Sequence, residues 1–157
     1  MAAEVEETEL PPRTPALELT GKVVDAADMF DAQYEDDLAR KLGRLEQDTR
    51  VQFVVATTPD LKGQTIAAYS LELANAWGLG SIERADGLLL LVAPNERKVR
   101  IEVGYGLEAL VKDEEAAQII TNDILPHFRN GDFKAGVSEG VDSLIGEVTP
   151  IELKEAA

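Results

Sequence analysis

Val51-Gln52-Phe53-Val54-Val55-Ala56-Thr57 and Gly87-Leu88-Leu89-Leu90-Leu91-Val92-Ala93 together decide the fold. The first is rich in β-branched residues and ends at Pro59 and Gly63, so it reads as a strand. The second is apolar at every position after its glycine. A strand of that kind is covered on both faces, as in the centre of an α/β sheet. Between them, Thr65 to Trp77 places Ile66, Tyr69, Leu73 and Trp77 at helical spacing, with Gly78 and Gly80 closing the helix. Strand, helix, strand is a crossover unit, so the two strands should be parallel. Pro94-Asn95-Glu96 then makes a turn. Lys98 to Val103 alternates, with Val99, Ile101 and Val103 on one face and Lys98, Arg100 and Glu102 on the other. That is a half-exposed strand returning antiparallel to the preceding one.

Outward from this unit, Asp28 to Thr49 carries Met29, Tyr34, Leu38, Leu42 and Leu45 on one helical face, with Asp28 as the expected N-cap. Gly104-Tyr105-Gly106 forms a tight bend. A helix from about Asp113 to Leu125 should stop before Pro126, and a last helix spans about Phe133 to Val148. Residues 1–18 are acidic and proline-bearing and read as a loose tail, residues 19–149 as one α/β domain, and 150–157 as a short tail. Trp77, Tyr69 and Phe133 read as core residues.

Composition narrows the function. The 157 residues include 30 Asp and Glu against 15 Lys and Arg, for a net charge of -15. Such a surface repels nucleic-acid phosphates and anionic headgroups and suits cations or basic partners. Absence of cysteine removes disulfides, thiolate metal sites and cysteine nucleophiles. His127 is the one histidine, which excludes most zinc sites and any Ser-His-Asp triad without it. It reads as a surface or cap residue. No apolar run reaches the ~20 residues of a membrane span, so direct membrane insertion is not expected.

The hairpin brings Asp86 and Gly87, at the start of one strand, to the same sheet edge as Gly104 to Glu108, at the end of its partner. Asp113 opens the next helix at that edge. Asp86, Glu108 and Asp113 around a glycine-lined bend (Gly87, Gly104, Gly106) would be oxygen ligands suited to Ca²⁺ or Mg²⁺. The same residues also fit ordinary capping, Asp86-Gly87 as a turn and Asp113 as an N-cap. A second cluster, Asp25, Asp28, Thr57, Thr58 and Asp60, lies at the opposite edge, the carboxyl end of the first long strand, where open α/β sheets bind ligands. Capping accounts for it equally.

Thr20-Gly21-Lys22-Val23-Val24-Asp25, Ala76-Trp77-Gly78-Leu79-Gly80, Asp86 to Ala93, and Arg97 to Glu108 occur in an order and spacing that resembles the TPM domain, the YgcG-like family. Asp113 and Asn130-Gly131-Asp132-Phe133 with Gly136 continue the pattern. The resemblance implies a Rossmann-like α/β/α sandwich and a protein exported to the periplasm or otherwise outside the cytoplasm, with a signal segment and membrane anchor removed from this chain. Family members include a thylakoid-lumen acid phosphatase linked to photosystem II repair, an accessory of a worm receptor, and calcium-binding bacterial proteins. The family's recurrent polar positions fall on Asp25, Asp86, Glu108 and Asp113, all acidic here, with Thr58 beside them. The function this implies is a Ca²⁺- and partner-binding module, with a membrane protein as the candidate partner, serving membrane-protein or envelope maintenance. The alternatives are a metal-dependent acid phosphatase and a metal-free protein-interaction domain. No Arg or Lys cluster is evident beside the carboxylates, which weighs against the phosphatase.

Overall fold

The computed structural model describes residues 16–79 and 86–150. Strands β1 (Val23–Asp25), β2 (Gln52–Thr57), β3 (Gly87–Ala93) and β4 (Lys98–Val103) form one sheet in that spatial order. β1 pairs parallel with β2, and β2 parallel with β3. β4 returns antiparallel, Leu88 opposite Val103 and Ala93 opposite Lys98. The parallel crossover and the hairpin are as the sequence dictates. The extra strand is β1, which is too short for its periodicity to be read and is fixed by its pairing with β2.

Alternation along β2 and β3 feeds two cores. Phe53, Val55, Leu88, Leu90 and Val92 point to one face, where α1 (Ala32–Thr49) and α5 (Phe133–Val148) cover them with Leu38, Leu42, Leu45, Val137, Val141 and Leu144. Val54, Ala56, Leu89, Leu91 and Ala93 point to the other, against Tyr69, Leu73 and Trp77 of α2 (Ile66–Ala76) and its C-terminus. Every residue of β3 is buried, which is why its sequence is apolar without alternation. Tyr69 reaches the β2–α2 loop, its hydroxyl 3.0 Å from Thr58 Oγ1, and burial pushes its phenol above the ordinary tyrosine value. Thr58 Oγ1 also donates to the Asp60 carbonyl at 3.1 Å. Tyr69→Phe therefore leaves Thr58 partnered and should lower stability by only about 1 kcal/mol, read from a shift in the urea midpoint.

Three local expectations are corrected. Asp28 does not cap α1; it has a left-handed backbone (φ 54), and Asp31 is the cap, accepting from Tyr34 N at 2.7 Å. The loop needs those extra residues because Asp25 holds it, as described below. The helix starting at Asp113 does not stop at Pro126. α3 (Asp113–Ile119) widens into a π-helical turn, Ile120–Ile124, and continues as α4 (Leu125–Arg129). Leu125 N bonds Ile120 O, one residue further back than in an α-helix, and this wider turn places Pro126 in the first turn of α4, where a missing N–H costs little. Phe133 is 38% exposed and so is not core. Gly80, assigned to the end of α2, and most of the two tails lie outside the described residues, while Leu17 packs against the α2-side core and its carbonyl accepts from Trp77 Nε1 at 3.1 Å. No helix among the described residues is long and apolar enough to cross a membrane.

Candidate functional site

The sheet separates the predicted carboxylates. Asp25 is level with Thr57, and Thr57 with Val92; Asp86 precedes Gly87 at the other end of β3. Six residues of strand put about 20 Å between the two edges. Ligands of one Ca²⁺ all lie within about 2.6 Å of it, so Asp25 and Asp86 cannot share an ion.

Asp25 has a local task. Its Oδ1 accepts from the Thr57 hydroxyl at 2.7 Å and Met29 N at 2.9 Å, and its Oδ2 from Phe30 N at 2.8 Å. Its carbonyl accepts from Asp28 N, and Thr57 Oγ1 accepts from Ala27 N. Asp25 thus organises the whole β1–α1 loop, and Asp28, which is exposed, joins that network through its backbone N–H alone. Asp60 closes the next loop on itself, Oδ1 accepting from Lys62 N.

At the hairpin edge, Gly104 N donates to Gly87 O at 2.7 Å and clasps the ends of β3 and β4 together. A cavity of about 250 Å³ opens there, lined by Glu102, Glu108, Tyr105, Asn75, the two clasped glycines and apolar residues from the end of α2. Glu108 is exposed, at the end of a single 3₁₀ turn, Tyr105–Leu107, that includes Gly106. Glu102 is the acidic member that strand alternation left unnoticed; it marks the charged face of β4 at the end nearest the bend. Its Oε1 accepts from Ser70 Oγ at 3.1 Å and from Arg100 Nε at 3.4 Å. Asp86 is half-buried immediately before Gly87, its carbonyl bonded to Gln52 N. Asp113 does not line the cavity. It occupies the first turn of α3 with Glu114 and Glu115, and Glu115 rather than Asp113 caps, accepting from Lys112 N at 3.0 Å. Among the described residues, no group of three or more His, Cys, Asp or Glu is disposed to hold a metal ion. The hairpin edge offers two carboxylates, an amide and backbone carbonyls, which suits a hydrated Ca²⁺ more than a tightly caged one.

A groove of about 550 Å³ runs along the outer edge of β1, between it and α1, rimmed by Glu18, Glu35 and Asp36. Lys22 O and Ala26 N bond to β2, so by alternation the peptide groups of Gly21 and Val23 face outward. Lys22 itself is paired with Glu46.

A third cavity, about 530 Å³, lies at the carboxyl end of β3. Arg97, Lys98 and Arg129 line it with Leu125, Phe128 and Phe133. No local pattern marks this cavity, because Arg129 lies 31 positions after Lys98. His127, nearby, is a surface residue as expected, Nε2 3.1 Å from Glu139 Oε2.

The family model for the TPM domain matches residues 23–147. Among solved structures, the chain is similar to the N-terminal domain of a P. gingivalis protein, with 34% identity, TM-score 0.76 and 82% of each chain covered. The N-terminal domain of the cg2496 protein of Corynebacterium glutamicum has 15% identity and TM-score 0.64 over 90% of this chain and 88% of that one. The BA42 protein of Bizionia argentinensis has 18% identity and TM-score 0.66 over 76% and 81%. These last two support the fold alone. No curated protein matches the chain.

Proposed function

Because the chain belongs to the TPM domain family, we propose that it is a divalent-cation- and partner-binding module acting outside the cytoplasm, in membrane-protein or envelope maintenance. One observation carries the cation reading: the Gly104–Gly87 clasp draws the strand ends together so that Glu102 and Glu108 face one cavity. Asp86 directly precedes Gly87, one of the residues lining that cavity. Few protein carboxylates and retained water correspond to a Kd on the order of 10⁻⁴ to 10⁻³ M, the range of extracellular Ca²⁺ modules. The partner surface in this reading is the outer edge of β1. An extended segment can add to the outward peptide groups of Gly21 and Val23, and the acidic rim selects a basic one.

Titrating Ca²⁺ into chelator-stripped protein should give saturable amide shifts at Gly87 and Gly104 to Glu108, lost in Glu108→Gln. Small, non-saturating shifts spread over the acidic surface would mean counterion screening and would leave a metal-free interaction domain. Partner capture that ignores chelator would point the same way. A metal-dependent acid phosphatase needs its metal and the cations that hold the phosphate at one centre. Here Arg97, Lys98 and Arg129 line a cavity at the end of β3 opposite Glu102 and Glu108, so the arrangement favours binding over hydrolysis.

A further inference from the structure

We propose that the cavity at the carboxyl end of β3 binds a small amphiphilic anion, a carboxylate or phosphate-type head carried on a short alkyl or aryl body. Its volume, about 530 Å³, falls within the range of small-molecule pockets. Its charge is opposite to that of the chain. Acidic residues outnumber basic ones two to one overall, yet the lining contains three cations and no Asp or Glu. Among the described residues, Arg97, Lys98 and Arg129 form no ion pair. Three cations gathered without a counter-charge repel one another, and an anionic ligand relieves that.

The rest of the wall is apolar. Leu125, Phe128 and Phe133 line it, the two rings 5.1 Å apart in an edge-on pair, and Phe133 is 38% exposed. Cations and aromatic side chains lining one cavity favour a head group with an apolar body over a bare inorganic ion. Arg97 sits in the β3–β4 turn with φ 57 and its N–H bonded to Pro94 O at 3.1 Å, and the turn places it in the cavity lining. The position, beyond the carboxyl end of a parallel strand, is the usual ligand crevice of open α/β sheets. The net charge of -15 disfavours approach to an anionic membrane and favours a free small molecule.

The test is an amide NMR titration of the full chain with hexylphosphonate and hexanoate. Methylphosphonate, an anion without the apolar body, and hexanol, an apolar body without charge, are the comparisons. The expected result is saturable shifts at Val92, Ala93, Arg129 and Phe133 with one or both hexyl anions, the stronger identifying the head group, and much weaker shifts with the comparison compounds. Arg97→Gln and Arg129→Gln should each weaken binding about tenfold, as loss of a charge-assisted contact does, while thermal unfolding shows both still folded. Arg100→Gln should leave binding unchanged, because Arg100 pairs with Glu102 and does not line this cavity. Equal binding of hexanol, equal weakening by Arg100→Gln, or no saturable shift with either anion would each overturn the proposal. Glu108→Gln, at the opposite edge, should not affect it.

Discussion

Asp25→Ala is expected to lower stability by about 3 kcal/mol, because three donors lose a charged acceptor at once. Thr57 Oγ1, Met29 N and Phe30 N converge on this carboxylate at 2.7, 2.9 and 2.8 Å. Phe30 is buried in the α1-side core, so its amide has little water to turn to. The loop also holds Asp28 in a left-handed conformation, which the Asp25 contacts must sustain. Asp25→Asn keeps one acceptor oxygen, but its amide nitrogen cannot accept, so about half the loss should remain. Urea denaturation measures both through the midpoint at constant slope. The loss should be the same with and without millimolar Ca²⁺. A parent protein stabilised by Ca²⁺ in a way that Asp25→Ala abolishes would return Asp25 to the list of metal ligands, and an unchanged midpoint would show that the carboxylate does not hold the loop.

That experiment bears on what the sequence could reveal. The parallel crossover, the central apolar strand and the hairpin were legible because burial on both faces, helical spacing and alternation are local patterns in the chain. The start of α1 was not, since Asp28 and Asp31 are equally good caps in isolation and only the long-range bond from Thr57 to Asp25 places the loop. Pro126 reads as a stop because proline cannot continue the i−4 ladder of an α-helix; Leu125 before it stays α-helical (φ -62, ψ -35), and the π-turn has already interrupted that ladder. Gly87, Gly104 and Glu108 lie together at the hairpin edge because the antiparallel register puts the start of β3 beside the end of β4. Asp113 was placed with them from its position in sequence alone, and the turn through Leu107 to Val111 carries it to the start of α3 instead. The cationic cavity escaped notice because its charges come from a turn and from the end of a different helix. Nothing local links Arg97 and Lys98 to Arg129; the packing of α4 and α5 beside β3 does.

That packing rests on two glycines of α5, and Gly136→Ala should cost a net of about 2 kcal/mol, an overpacking loss of about 3 set against about 1 gained in helix propensity. An added Cβ would lie 2.6 and 2.7 Å from atoms of the Phe128 ring and 2.9 Å from the Ile124 carbonyl oxygen. The ring can swing toward the adjoining cavity, but the carbonyl belongs to the π-turn and moves only with the backbone. Gly140→Ala is the control. Its Cβ would lie 2.6 and 2.7 Å from Cδ1 and Cγ1 of the fully buried Ile124, with no backbone atom among its three nearest contacts, so the side chain must repack and Gly140→Ala should cost about 1 kcal/mol, less than Gly136→Ala. Thermal unfolding of the two variants, one turn apart on the same helix, separates a backbone collision from a side-chain one. The cavity supplies a second readout. If Phe128 yields, its ring fills space that a hexyl chain would occupy, and hexylphosphonate should bind Gly136→Ala more weakly than Gly140→Ala. Equal stability of the two variants would mean that α4 shifts freely against α5, and the aromatic lining of the cavity would then not be a fixed surface.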